Sequence, residues 1–310
     1  MISPIRSSQH RTATAFGGRA DRRPQTGNDL RARIRATPVS GTPAKMRAAF
    51  ARLTGPAPDL ARDSVAGIPV ARIGQGPSCV LWLHGGGYVF GSPESHAAAA
   101  SFLASALKAT VIVPDYPLAP EAVWPAQLDA VAAVLDALVG PVGVVGDSAG
   151  GHLALNLALH RPGRLAALCL ISPNTDRSGR STTRGRDTDL MNEDAQDTRL
   201  ARMAFPGHAD ASPTVSPLLA DLGGLAPLQI LAAGNEILLD DAALLARAAA
   251  LSGVSVDFRV WPGLFHMWPL WPEALPEARA ALGAVAAHLR AALPPHPTPS
   301  KRTETPSKGV

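Results

Sequence analysis

Cysteine is scarce in this chain of 310 residues: only Cys79 and Cys169 occur. Both sit in apolar runs that read as core strands, so neither a disulfide framework nor a thiolate metal site is expected. Lysine is almost as rare (Lys45, Lys108, Lys301 and Lys308), and arginine makes up the rest of the 29 basic residues. That bias is expected of a GC-rich coding sequence rather than of a charge-based function. No stretch of 18 or more apolar residues occurs, so no membrane span is expected. The N-terminus lacks the apolar run of a secretory signal. No redox Cys pair, phosphate-binding loop or metal-ligand cluster is visible, and we expect no cofactor and no metal.

What is present fits a globular protein: 46% apolar and 17% charged residues. The length suits one large α/β domain with decoration, or two small domains. The net charge of +4 is unevenly placed. Residues 1–50 hold ten basic residues and two acidic ones, Asp21 and Asp29, so the remainder is mildly acidic. This argues against nucleic acid as a partner. Residues 1–44 show no apolar period and read as a disordered basic leader; organelle targeting is the alternative. The Pro- and Thr-rich segment 294–310 reads as a disordered tail. Residues 45–54 have the spacing of a short helix. A cytoplasmic location and a small-molecule substrate are expected, with a homodimer possible.

Between these ends strands and helices alternate. Strands are expected over 68–73, 80–83, 110–114, 142–145, 165–171, 228–233 and 254–260. Helices are expected over 97–107, 123–139, 149–160, 241–251 and 277–293. Such alternation predicts an α/β fold with a mostly parallel sheet covered on both faces. Residues 174–214 are largely polar and separate two core strands. An insertion of this length, on the C-terminal side of a strand, reads as a lid rather than an idle loop.

Gly146-Asp147-Ser148-Ala149-Gly150 fits G-x-S-x-G. An apolar strand precedes it and a helical run follows. Small flanking residues permit a turn so sharp that a serine oxygen is presented at the sheet top. Ser148 is therefore the candidate nucleophile, at a helix N-terminus that favours negative charge. Three glycines, Gly85 to Gly87, follow His84 directly after the strand CVLWL. Consecutive glycines there are costly unless backbone N–H groups must face a cavity. Gly85, Gly86 and Ala149 are the expected oxyanion donors, with His84 holding the loop.

A triad on such a sheet runs in the order Ser, acid, His. His266 follows the last strand and precedes the last helix. His208 comes too early, while His288 and His296 fall in a helix face and the tail. The acid should leave strand 228–233, which offers Glu236, with Asp240 as alternative. Asp240 and Asp241 otherwise read as a helix start. Bulky residues near these loops, Tyr88, Phe265, Trp268 and Trp271, are expected to line a substrate pocket together with Asp147.

Taken together, HGGGYVFGSPESH, DYPLAPE (Asp115–Glu121), GDSAGG (Gly146–Gly151), SPLLADL and WPGLFH resemble the hormone-sensitive-lipase-like esterases of the α/β-hydrolase fold. The resemblance spans roughly 60–292 and is greatest to bacterial acetyl-hydrolases and short-chain carboxylesterases. It implies a serine hydrolase of small acyl esters. It also implies a cap, near residues 45–60 and 174–214. In the family the acid is usually Asp, about 30 residues before the histidine; Glu236 falls at that distance. DYPLAPE has Pro117 where the family commonly has Arg. That segment is expected to brace the oxyanion loop, with Glu121 structural. An amidase, N-deacetylase or lactone hydrolase would use the same triad. A non-catalytic receptor on this fold would lack the catalytic histidine, which is present here.

Overall fold

The computed structural model describes residues 23–57 and 59–293. The expected tail, 294–310, and residues 1–22 of the expected leader lie outside them.

Among the described residues, eight strands form one sheet: β1 (Ala61–Val65), β2 (Ile68–Ile73), β3 (Cys79–Leu83), β4 (Thr110–Pro114), β5 (Val142–Asp147), β6 (Leu165–Ile171), β7 (Leu228–Ala233) and β8 (Val256–Trp261). Their spatial order is β1-β2-β4-β3-β5-β6-β7-β8. The β1–β2 and β2–β4 pairs are antiparallel, and all others are parallel. The central strands are apolar along their length because both faces are covered. β5 and β7 are wholly buried.

Eight α-helices accompany the sheet among the described residues: α1 (Gly27–Ala36), α2 (Pro43–Thr54), α3 (Pro93–Leu107), α4 (Ala126–Ala137), α5 (Ala149–His160), α6 (Asp194–Ala204), α7 (Leu239–Leu251) and α8 (Pro276–Ala292). α3 packs on α8, and α4 on α5. No helix among them is long and apolar enough to cross a membrane. The chain is an α/β-hydrolase fold.

Three elements depart from the sequence-based reading. β1 is an exposed edge strand with one buried residue, so it carries no apolar alternation. It exists because Ala66 and Gly67, both at positive φ, close a two-residue hairpin onto β2. Residues 27–36 are helical rather than disordered. Thr26 accepts from the Asp29 amide as N-cap, and Leu30 and Ile34, one turn apart, are buried. The insertion contains α6, whose residues Asp197, Leu200, Ala201 and Ala204 share one buried face.

Candidate active site

The C-terminal ends of the parallel strands carry the site, as expected where a sheet's helices leave a crevice. β5 ends at Asp147 and α5 begins at Ala149, which leaves Ser148 alone to make the turn. Ser148 has φ 54° and ψ −119°, a conformation that costs a non-glycine residue about 1–3 kcal/mol. The strain is held by three backbone bonds. Ser148 N–H donates to Ile171 O at 2.9 Å, and its own carbonyl accepts from Asn174 (3.2 Å) and His152 (3.1 Å). The flanking glycines are required by space: a Cβ on Gly150 would collide with the Leu83 carbonyl, and one on Gly146 with that of Gly150.

His266 lies in the loop after β8, and Glu236 in the loop after β7. His266 Nε2 is 2.8 Å from Ser148 Oγ, and His266 Nδ1 is 2.9 Å from Glu236 Oε2. Glu236 Oε1 accepts from the Ala233 amide at 2.7 Å, which fixes the carboxylate. All three side chains are buried. Burial alone would lower the pKa of His266. The bond and charge of Glu236 outweigh it, with Asp189 and Asp147 adding to the effect, and hold the imidazole above its ordinary value. Asp240 does not meet the histidine; it accepts from Thr182 N and Oγ1, each at 2.7 Å.

The glycine loop differs by one residue from expectation. Gly85 N–H donates to Asp147 Oδ2 at 3.1 Å and faces His96 Nε2 at 3.2 Å. It is therefore engaged away from the cavity and is not an oxyanion donor. Gly86 and Gly87 line the cavity beside Ser148. Their amides, and that of Ala149 at the start of α5, have no protein acceptor among the described residues. Gly86 adopts φ 123°, and a Cβ there would strike the Phe90 carbonyl.

Several buried groups brace this loop. The DYPLAPE segment holds it: Tyr116 O–H donates to His84 O at 2.6 Å, its ring stacks on His84 at 4.1 Å, and Ala119 N–H donates to Tyr88 O at 2.8 Å. Arg47 of α2 clamps both, donating to Val89 O, Ala119 O and the carboxylate of Glu121. Burial and the neighbouring His96 push the His84 pKa down to about 3, so the ring is neutral.

The residues expected to line the pocket do other work. Asp147 is buried behind the loop, bonded to Trp82 Nε1 (2.9 Å), Gly85 N and His96. Burial opposes its ionisation, but His96 and Trp82 outweigh this and lower its pKa. Tyr88 O–H meets His152 Nδ1 at 2.6 Å inside a cluster with Trp124 and Phe205. Phe265 packs on Trp271, and Trp268 on Trp261. Proximity in sequence to the catalytic loops does not bring these rings to the cavity, because their size draws them into the core.

The cavity at Ser148 is lined instead by Val39, Phe50, Phe90, Met191, Leu200 and Met267, besides the catalytic groups. Its free space is only about 30 Å³, about two to three times the least that holds one water. A vestibule of about 340 Å³ adjoins it, sharing Val39, Met191, Asn192 and Gln196. Gln196 Nε2 donates to Val39 O at 2.5 Å and so ties α6 to the α1–α2 connection above the cavity.

Sequence reasoning missed what anchors this roof. Asp197, beside the cavity, accepts from Asn174 Nδ2 (2.7 Å), Arg177 Nη1 (2.8 Å) and Arg184 Nη1 (2.7 Å). Burial opposes its charge, but the two arginines hold its pKa down to about 2. Arg184 also donates to Asp241 Oδ2 at 2.6 Å, and that carboxylate caps the amides of Thr175 and Asp176. The signal available was the dense run of arginines and aspartates in 174–197. Among the described residues no group of His, Cys, Asp and Glu could hold a metal ion.

Comparison with known proteins agrees with this architecture. A family model described as an α/β hydrolase fold matches residues 80–270. An acetyl-hydrolase of Streptomyces hygroscopicus is 39% identical over 226 residues, covering 69% of this chain and 75% of the relative. An esterase of Acinetobacter venetianus is 32% identical over 220 residues, covering 67% and 73%. The crystal structure of an esterase from the bacterial hormone-sensitive lipase family superposes with a TM-score of 0.79 at 31% identity, covering 86% of this chain and 97% of that one. The chain therefore belongs to the α/β-hydrolase family, within its hormone-sensitive-lipase-like esterases.

Proposed function

We propose that this enzyme cleaves short-chain, acetyl-like carboxylic esters through an acyl-enzyme on Ser148. The observation that carries the reading is the unbroken line Ser148–His266–Glu236, at 2.8 and 2.9 Å, opening on a cavity of about 30 Å³.

Ser148 Oγ attacks the ester carbonyl while His266 Nε2 takes its proton. Glu236 orients the imidazole through Nδ1–H and stabilises the imidazolium that forms. The amides of Gly86, Gly87 and Ala149 receive the developing oxyanion. One such donor is worth about 3–4 kcal/mol in the transition state. Collapse expels the alcohol, which takes the proton from His266. Water then attacks the acyl-serine with His266 again as base, releasing the acid and restoring Ser148.

The acyl group would occupy the narrow cavity between Phe50, Phe90 and Leu200. The alcohol would leave toward the vestibule. Phe50, Phe90 and Leu200 close the cavity on the acyl side, so longer chains would force costlier rearrangement of these packed side chains, which favours chains of about two to six carbons. A panel of p-nitrophenyl esters graded by acyl length, run beside acetylated amines and lactones, tests the reading. The expected optimum of kcat/KM is acetyl to butyryl. A preference for long-chain emulsified esters would overturn the chain-length assignment, and turnover of amides alone would overturn the ester assignment.

A further inference from the structure

The geometry points to Asp189 as a positioning residue of the catalytic machinery, its carboxylate joining the loop that carries the acid to the loop that carries the base. This inference rests on the reading of Glu236 and His266 as that acid and base.

The two loops leave adjacent parallel strands, β7 and β8. They are already tied by backbone bonds, Gly234 N–H to Trp261 O at 2.8 Å and Asn235 N–H to Leu264 O at 3.1 Å. Those bonds end just before the two side chains that do the chemistry. Asp189 carries the connection further. Its Oδ2 accepts from the Ile237 amide at 3.2 Å, the residue after Glu236. Its Oδ1 accepts from the amide of His266 itself at 3.2 Å, and from Met191 at 3.0 Å. One carboxylate thus receives three backbone donors from three segments. Only an acceptor on both oxygens satisfies all of them; an amide side chain would turn N–H toward one of these donors.

Asp189 does not act from an isolated loop. The stretch before it runs along the acid loop. Thr188 Oγ1 donates to Asn235 O at 2.8 Å, and Thr183 Oγ1 to Ile237 O at 2.7 Å. Asp240 N–H in turn donates to Thr183 Oγ1 at 3.0 Å. The first half of the insertion is therefore a brace laid beside residues 235–240, and Asp189 is the point where it reaches across to the histidine loop.

Asp189 also lines the vestibule and adds negative charge near the imidazole. The groups facing His266 are Glu236 from the β7 loop, Asp189 from the insertion, and Asp147 from β5, the last paired with His96. The cations bonded to the same two loops are Arg31, which sits over Phe265 at 5.2 Å, and Arg186, which donates to Gly234 O. Removing the charge of Asp189 lowers the pKa of His266. The acid limb of kcat/KM then moves to lower pH, because the base stays neutral further down. The plateau rate falls for a separate reason: displacement of a base by about 1 Å can cost roughly 10²-fold.

The test compares Asp189→Asn and Asp189→Ala with wild type on p-nitrophenyl acetate. Arg161→Ala, which breaks a surface pair with Asp136, serves as control. We expect kcat to fall about 10–100-fold, with KM within about threefold, as for residues that orient a catalytic group. The acid limb should shift downward in both variants, and Asp189→Glu should recover more rate than Asp189→Asn. Arg161→Ala should keep kcat and pH profile. An unmoved acid limb with kcat within about twofold of wild type would overturn the inference. So would a rate loss that follows the melting temperature alone, with the limb in place. If wild-type enzyme fails to label at Ser148 with a fluorophosphonate, the reading of function has failed instead.

Discussion

Ser148, Gly86 and Glu236 follow β5, β3 and β7, central strands that are almost wholly buried, and His266 follows the part-exposed β8, whereas Val39, Asn192 and Asp197 face them from segments held by ion pairs and side-chain bonds to backbone. The floor of the cavity is built by burial. Its roof is tied down by ion pairs and a side-chain bond to backbone: Arg177 and Arg184 on Asp197, Arg184 on Asp241, Gln196 on Val39. The difference separates two tasks. Chemistry needs fixed geometry, which a close-packed sheet supplies. Under the proposed function, selection of the acyl group would fall largely to the roof.

The sharpest division between the two regions comes from substitutions of floor and roof side by side. Glu236→Gln should lower kcat about 10³–10⁴-fold with the melting temperature near wild type, as for loss of the group that orients a base. Its acid limb should also move to lower pH, because the carboxylate is what raises the pKa of His266. Steady-state kinetics across pH, with a melting curve, would check both.

In the roof the order of effects should invert, with stability lost before chemistry. Arg184→Ala leaves Asp197 and Asp241 buried without a shared partner. Breaking such a pair costs about 3–5 kcal/mol, measured by urea unfolding. Part of the activity loss should be recovered at low temperature, where the roof stays closed. A smaller effect is expected from removing residues 1–44. The bare sequence there argues for dispensability, but α1 buries Leu30 and Ile34 and lays Arg31 on the histidine loop. Net destabilisation of roughly 1.5–3 kcal/mol is expected, the value of one or two buried side chains after ordering entropy. An unchanged melting temperature and turnover would show that α1 contributes nothing. Asp240→Asn should do least, about 0.5–1.5 kcal/mol for weakened bonds to Thr182, with kcat nearly intact. Inactivation of a folded Asp240→Asn enzyme would blur the boundary between the regions.

The floor was legible because its signals are local. A wholly apolar strand, a glycine-flanked serine and a helix start within a dozen residues, and the order of strands then points to Glu236 and His266. The donor register was not legible, because which glycine amide faces the cavity depends on Asp147 reaching back to Gly85. The pocket lining is hidden in the sequence for a related reason. Phe265, Trp268 and Trp271 were close in sequence to His266, but core burial outcompetes a place at the cavity. The roof was nearly illegible. Asp189 and Arg184 reach partners 48 to 77 residues away, and Asp197 is met by side chains 13 to 23 positions before it, and polar segments carry no periodicity that announces such pairings. Two elements were within reach: the Thr26–Asp29 cap with Leu30 and Ile34, and the shared face of Leu200, Ala201 and Ala204.

The central claim is that the floor performs covalent chemistry on Ser148. Acid quenching during turnover of p-nitrophenyl acetate, followed by peptide mass analysis, tests it directly. The account predicts an acetyl group on the peptide containing Ser148, absent in Ser148→Ala, whose turnover falls on the order of 10⁶-fold. An acetyl group on another residue, or a folded Ser148→Ala enzyme retaining about a tenth of wild-type turnover, would contradict it.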